Sequence, residues 1–117
     1  MHEREFYEDI TDKLSKNAKI LVAYNKDILG YNAFYCNNGS NKTAYISLIA
    51  VDKNKQNMHI GRSLLESCED ICRNHGMMCL DLEVRKDNIQ ARSFYEKNSF
   101  HIIDEREQSY IMRKELF

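Results

Sequence analysis

The stretch from residue 44 to residue 84 constrains the fold most, because it passes from an extended pattern to a helical one and back. Residues 44–51 are apolar at nearly every position, which is typical of a strand covered on both faces. Residues 60–75 place apolar side chains at helical spacing, and Gly76 follows where a C-cap is expected. Residues 78–84 alternate apolar and acidic side chains, so a strand returns after a helical crossover. The stretch predicts a βαβ unit with parallel strands.

The flanking segments extend this unit into a mixed sheet. Residues 3–16 carry apolar side chains at helical spacing and predict an amphipathic helix. Two extended runs, 19–24 and 28–36, are joined by a short polar turn and predict a β-hairpin. The remaining expected elements are a second helix and two final strands, over residues 89–97, 100–104 and 109–114. The order predicts an α/β fold in which helices flank a mixed β-sheet.

Composition narrows the class of protein. The 117 residues suit a single domain over positions 1–117, and a net charge of −1 leaves no basic excess for nucleic acid or an anionic membrane. The longest apolar run is far shorter than the roughly 20 residues that a membrane span requires. The charged N-terminal residues do not form the apolar centre of a secretory signal. We therefore expect a cytoplasmic protein whose four cysteines are free thiols.

Three of these cysteines and a histidine raise the alternative of a metal site. Cys68, Cys72, His75 and Cys79 lie close together in the sequence. However, Cys68 and Cys72 share the apolar helix face with Leu64, and no paired CxxC is present. We expect buried thiols and no bound metal.

The loop that enters the first helix of the βαβ unit is a candidate anion site. Residues 56–62 join the end of a buried strand to a helix start, where free amide hydrogens and the positive end of the helix dipole converge. Gly61 permits close backbone approach, and Gln56 and Arg62 supply donors for phosphate oxygens. The alternative is that Gly61 only eases packing between helix and strand.

Two segments together resemble the signatures of one enzyme family. In residues 82–100, LEVRKDNIQARSFYEKNSF, a strand ending in Glu-Val is followed by Asn, Ala, Phe-Tyr and Phe. Upstream, Gln56 and Gly61 match a pattern of Arg or Gln, two residues, Gly, one residue, then Gly or Ala. These segments resemble the second and first signatures of the GNAT superfamily of acetyl-CoA-dependent N-acetyltransferases. Their joint occurrence is more specific than either signature alone.

Three features depart from the family pattern. His59 stands where the first signature has its first glycine, and Ser99 stands where the second has the glycine before Phe100. Members of the family usually begin with a further strand and helix that help to wall the acceptor site. The resemblance therefore implies a GNAT-like mixed sheet with a shortened N-terminus.

The resemblance implies that acetyl-CoA is the cosubstrate. In the family, the pantetheine arm runs along the central strand, the pyrophosphate lies on the amides of the following loop, and an amide near a strand bend holds the thioester oxygen. The bend is expected near Ala50 or Val51. The expected cofactor-binding residues are Ile49, Ala50, Val51, Gln56, Asn57, Met58, His59, Ile60, Gly61, Arg62 and Asn88.

The resemblance also implies two catalytic residues. Glu83 would take a proton from a primary amine that attacks the thioester directly in a ternary complex, and Tyr95 would be the acid for the departing thiolate. The alternatives are a solvated Glu83 and a core-packing Tyr95. A regulatory module that binds acyl-CoA without turnover is the rival function.

The sequence leaves the partners of the reaction only partly defined. The acceptor amine stays open among a protein N-terminus, a lysine, a polyamine, an amino sugar and an antibiotic. Apolar surface near Phe6, Tyr7 and the first hairpin suggests a symmetric homodimer that buries it.

Overall fold

The described part of the chain contains seven strands and two helices. The computed structural model describes residues 4–9, for the backbone alone, and residues 18–36, 41–54 and 59–117. The strands are β1 (Arg4–Asp9), β2 (Ala18–Asn25), β3 (Asp27–Tyr35), β4 (Thr43–Val51), β5 (Cys79–Arg85), β6 (His101–Glu105) and β7 (Ser109–Glu115). The helices are α1 (Ile60–Asn74) and α2 (Ile89–Lys97).

The strands form one sheet in the order β1-β2-β3-β4-β5-β7-β6. Neighbouring strands are antiparallel except β4 and β5, which are parallel and are connected through α1. The predicted hairpin, the βαβ unit and α2 are therefore confirmed. These elements were predictable because each one carries its own periodicity or turn signal.

Both helices lie on the same face of the sheet. Asn32 of β3 is fully buried and donates through Nδ2 to the carbonyl of Leu64 in α1, at 3.4 Å. Arg92 of α2 lies 5.1 Å from the ring centre of Tyr110 in β7. On β5, Leu82 and its neighbours at alternate positions pack into this buried layer. In the described part of the chain the opposite face carries no helix, and we call it the open face.

The prediction of a helix over residues 3–16 is wrong for residues 4–9, which the structure describes. Residues 4–9 form β1, which pairs antiparallel with the edge of β2 from Arg4 opposite Tyr24 to Asp9 opposite Lys19. A six-residue segment gains more from the unpaired backbone groups of a sheet edge than from a short isolated helix. Residues 10–16 lie outside the described part of the chain.

The central strand β4 is covered on one face, not on both as its apolar sequence predicted. Ala44 and Ile46 are buried beneath the helices, whereas Tyr45 and Leu48 are exposed on the open face. A strand with helices on one side leaves every second residue outside the core. Neither helix in the described residues has the length and apolar character needed to cross a membrane.

Candidate functional site

An opening in the sheet between β4 and β5 organises the site. The two strands pair only over their first halves, from Thr43 opposite Cys79 to Ile46 opposite Leu82. On its other side, β4 changes register against β3 by stepping over Ser47. A bulge of this kind bends a strand and interrupts its ladder. Beyond Ser47, β4 and β5 no longer pair.

The irregularity in β4 does not lie where the sequence analysis placed it. The bend was expected near Ala50 or Val51, but these residues pair in register with Tyr31 and Gly30. The break falls at Ser47, where pairing with β5 ends. Its position depends on two neighbouring strands, so it has no local signature.

A cavity of about 700 Å³ occupies the helix side of this opening. Six of the residues expected to bind a cofactor line it, namely Ile49, Val51, His59, Gly61, Arg62 and Asn88. The sequence analysis missed five further lining residues, which are Gln90, Ala91, Phe94, Lys97 and Asn98. All five lie on or beside α2, at positions i, i+1, i+4, i+7 and i+8, which is the spacing of one helix face.

The other expected cofactor residues are placed differently. The side chain of Ile60 is fully buried in the core, and that of Ala50 is half-buried and lines no cavity that we describe. Gln56, Asn57 and Met58 lie outside the described residues.

The start of α1 provides donors at one end of the cavity. His59 is the N-cap, with φ 59° and ψ 24°, and its side chain makes no capping hydrogen bond. Because the first turn contains no acidic residue, the helix dipole there is open to an external anion. The side chains of His59, Arg62 and Lys97 line the same cavity, so its rim carries donors suited to phosphate oxygens.

Gly61 lies where a ligand backbone would approach the helix. A β-carbon at this position would come within 3.4 Å of Phe94 Cζ and 3.6 Å of Val51 Cγ2, which is ordinary contact. A methyl group therefore fits here, whereas a larger side chain would have to enter the cavity.

A second, smaller cavity of about 220 Å³ continues the first toward β5. Both cavities are lined by Ile49, Asn88, Ala91 and Tyr95. The smaller one adds Glu83, whose side chain alternates with those of the core residues Leu82 and Val84. The opening is thus reached by Tyr95 from the helix side and by Glu83 from the open face.

Tyr95 combines a buried ring with a hydroxyl available to the cavities. Its ring packs edge-on against Phe94 and Phe100, with centroids 5.3 and 5.6 Å away. Among the described residues, its hydroxyl has no hydrogen-bond partner. Burial raises the pKa of Tyr95 to about 12, so the phenol stays protonated at neutral pH.

Glu83 is held by two groups from the end of the β6–β7 hairpin. The Ser109 hydroxyl donates a short hydrogen bond to Glu83 Oε2, and Arg106 Nη1 lies 3.9 Å from the same oxygen. Burial raises the pKa of Tyr45, and the nearby negative charge of Glu83 adds to this effect. Neither Ser109 nor Arg106 is identifiable from the sequence, because both are distant along the chain and their residue types are common on surfaces.

Asn88 has a structural role in addition to lining both cavities. It is the N-cap of α2, and its Oδ1 accepts a hydrogen bond from the Ala91 amide at 3.2 Å. The side-chain Nδ2 is left to face a ligand.

Cys36, Cys68 and Cys72 belong to the core, whereas Cys79, which was also expected to be buried, is half-buried. Cys68 and Cys72 are fully buried, and Cys72 Sγ lies 3.0 Å from Cys36 Sγ. The hydrogen bond with Cys36 favours the Cys72 thiolate, but the hydrogen bond with Cys68 and burial outweigh it and raise the pKa of this thiol. Within the residues that the structure describes, no three His, Cys, Asp or Glu side chains are arranged to hold a metal ion.

Comparison with known proteins relates this architecture to a family. A protein of Bacillus subtilis (strain 168), the uncharacterized protein YxbD, is 34% identical over 55 residues, which are 47% of this chain and 35% of that protein. A proposed streptothricin acetyltransferase from Bacillus anthracis, solved in complex with acetyl coenzyme A, superimposes with a TM-score of 0.76 at 25% identity, over 85% of this chain and 62% of that one. The chain thus covers less than two thirds of the length of either relative.

A third relative has a length similar to that of this chain. A proposed acyl-CoA N-acyltransferase from Klebsiella pneumoniae superimposes with a TM-score of 0.83 at 17% identity, over 98% of both chains, a likeness of fold. Residues 1–100 match the family described as the Acetyltransferase (GNAT) family. This match shows that the chain belongs to the GNAT acetyltransferase family.

Proposed function

We propose that the protein transfers an acetyl group from acetyl-CoA to a primary amine, by direct attack within a ternary complex. The observation that carries this proposal is the opening between β4 and β5, which Tyr95 and Glu83 reach from opposite faces. A thioester seated in the opening would meet a proton donor on one side and a carboxylate on the other. Holding amine and thioester together supplies much of the acceleration without a covalent intermediate.

Acetyl-CoA would lie along the helix side of the sheet. Its phosphates would contact the start of α1 near His59 and Arg62, and the pantetheine arm would follow β4 past Val51 and Ile49. The cavity residues fit such a ligand, because donors line its outer end and apolar side chains line its path toward Tyr95. Family membership and the acetyl-CoA bound to the Bacillus anthracis relative support this placement.

The proton on the amine is the first chemical obstacle. Reference pKa values are about 7.7 to 8.0 for an α-amine and about 10.4 for lysine, so much of the acceptor is protonated at neutral pH. Glu83 would take this proton from the open face, directly or through water. The nitrogen then forms a bond to the thioester carbon, and the negative charge moves onto the carbonyl oxygen near the backbone that follows Ser47.

The C–S bond then breaks, the carbonyl re-forms, and the nitrogen releases its second proton to solvent to give the neutral amide. Tyr95 would donate a hydrogen bond to the departing sulfur. The pKa of Tyr95, about 12, lies above the pKa of a thiol, roughly 8.5. Tyr95 therefore contributes more by stabilising the thiolate through this hydrogen bond than by transferring its proton completely. Solvent would finally protonate CoA.

Turnover of acetyl-CoA against a panel of amines tests the proposal. The panel should include a peptide N-terminus, a lysine peptide, a polyamine, an amino sugar and an aminoglycoside, with release of the CoA thiol as the readout. We expect at least one amine to raise thiol release well above the rate of acetyl-CoA hydrolysis. Mass spectrometry should then find a product that is heavier than the amine by C2H2O, about 42 Da. Tight acetyl-CoA binding without turnover of any amine would instead support the regulatory binding module.

The placement of CoA is tested separately at Gly61. The Gly61→Glu variant puts bulk and negative charge beside the expected phosphates, so we expect acetyl-CoA affinity to fall by about 100-fold or more. Gly61→Ala is the matched control, because its methyl group fits beside Phe94 and Val51. Calorimetry that finds equal affinity in the two folded variants would show that CoA binds elsewhere.

A further inference from the structure

We propose that Ser109 is a positioning residue for Glu83, and that the β6–β7 hairpin serves the chemistry of the site through it. This inference rests on the proposed function, in which Glu83 takes the amine proton. Ser109 is the first residue of β7 and is only 7% exposed. Its hydroxyl donates to Glu83 Oε2 from the neighbouring strand.

The backbone places the Ser109 hydroxyl accurately. Antiparallel pairing places Ser109 opposite Arg85 and Ile111 opposite Glu83. Ser109 is two residues before Ile111, so its side chain lies on the same face of the sheet as that of Glu83. Two backbone hydrogen bonds fix the turn that precedes Ser109. The Arg106 amide donates to the Ser109 carbonyl at 2.8 Å, and the Lys86 amide donates to the Gln108 carbonyl at 3.0 Å.

The contacts to Glu83 are one-sided. Both the Ser109 hydroxyl and Arg106 Nη1 lie close to Oε2, and among the described residues no hydrogen bond involves Oε1. The side chain of Glu83 remains 39% exposed and lines the smaller cavity. The arrangement anchors one oxygen and leaves the other to meet an acceptor amine or its bridging water.

Each neighbouring element adds a charged or titratable group near Glu83. Tyr45 comes from β4, Asp81 from β5, Arg106 from the hairpin turn and Arg113 from β7. Asp81 is neutralised by a bidentate pair with Arg113, at 2.7 and 2.9 Å. Ser109 and Arg106 are therefore the groups that hold the Glu83 carboxylate in place.

Removing the Ser109 hydroxyl should lower the rate. The freed carboxylate loses its orientation, so kcat should fall about 3- to 10-fold. The KM for acetyl-CoA should not change, because Ser109 lines neither of the two cavities that we describe.

The test compares Ser109→Ala with variants that separate positioning from packing. Ser109→Thr keeps the hydroxyl and should restore most of the rate. Ser93→Ala in α2 is the control for loss of a serine hydroxyl outside the site, and unfolding in urea checks that all variants fold. In the Glu83→Gln background, Ser109→Ala should lower the rate no further.

The outcomes distinguish the two proposals. If Ser109→Ala matches the parent protein in kcat, or slows Glu83→Gln as much as it slows the parent, Ser109 has no positioning role. If Glu83→Gln keeps full activity at every pH, Glu83 is not the base, and both this inference and that part of the mechanism are overturned. Loss of rate in Glu83→Gln with no effect of Ser109→Ala overturns the inference alone.

Discussion

Two residues adopt the left-handed backbone conformation where the GNAT signatures have glycine. His59 has φ 59° and Ser99 has φ 76°, and each enters or follows a helix at a sharp turn. The conformation that glycine allows is therefore retained although glycine is absent. A residue with a β-carbon pays about 1–2 kcal/mol for it.

We predict that His59→Gly and Ser99→Gly each stabilise the protein, by about 0.5 to 1 kcal/mol. The relief of backbone strain exceeds the entropy that a glycine adds to the unfolded chain. Unfolding in urea measures the change. Ser93→Gly, inside α2, is the control and should lose about 1 kcal/mol. A loss of stability in both variants would show that contacts of the two side chains outweigh the strain.

Removing one atom, the Tyr95 hydroxyl oxygen, separates the packing role of this side chain from its chemical role. Tyr95→Phe keeps the ring between Phe94 and Phe100 and removes only the hydroxyl. We expect kcat to fall about 10- to 100-fold, the range for one hydrogen bond to a charged group, while acetyl-CoA affinity and stability change little. Steady-state kinetics with calorimetry checks this. Undiminished kcat would leave Tyr95 as a core aromatic only.

At the level of elements, the contact between β3 and β4 shapes the cavity. Gly30 lies opposite Val51, and a β-carbon on it would be 2.7 Å from the Ala50 carbonyl oxygen and 3.2 Å from Val51 Cα. The clash is with backbone, which cannot rotate away. Only glycine lets β4 lie at this distance from β3.

We predict that Gly30→Ala costs about 1 to 3 kcal/mol of stability and also weakens acetyl-CoA binding. The second effect follows because β4 carries Val51 and Ile49, which line the larger cavity. Urea unfolding and calorimetry measure the two changes. Gly76→Ala is a useful contrast, because there the cost comes from φ 80° and no atom lies within 4 Å of the added carbon. That variant should lose stability without losing affinity for acetyl-CoA.

At the scale of the whole molecule, the open face presents apolar side chains to solvent. Tyr31, Tyr45 and Leu48 are each more than a third exposed on this face. Exposed apolar patches mark interaction sites, and a stable interface typically buries about 800 Å² on each partner. The patch lies beside the cavity that contains Glu83, so a second copy of the chain would also border the acceptor site.

We predict a symmetric homodimer at micromolar concentration, formed through the open face. Light scattering should report twice the 13.9 kDa mass of the chain. Tyr31→Glu should shift the protein to the monomer, whereas Asn54→Glu, which adds the same charge at an exposed site, should not. A 13.9 kDa species with full activity would mean that the open face instead receives the acceptor.

The elements and signatures with local patterns were predictable from the sequence. The alternation in β5, the apolar stripe of α1 and the glycine that follows α1 each depend on residues within a few positions of one another, so local sequence predicts them. The resemblance to the two signatures, and not local periodicity, implied that Glu83, Tyr95 and the start of α1 belong to one site. Six of the expected cofactor residues line the larger cavity.

Tertiary structure decided what depends on pairing between distant segments. Residues 4–9 have a helical pattern, yet the free edge of β2 makes them a strand. The bulge at Ser47 arises where β4 leaves β5, and the one-sided burial of β4 follows from both helices packing on the same face. The link from Ser109 to Glu83 spans 26 residues and exists only because β7 returns beside β5. Sequence periodicity encodes which face of an element is apolar, but the partner that covers that face is determined only when the chain folds.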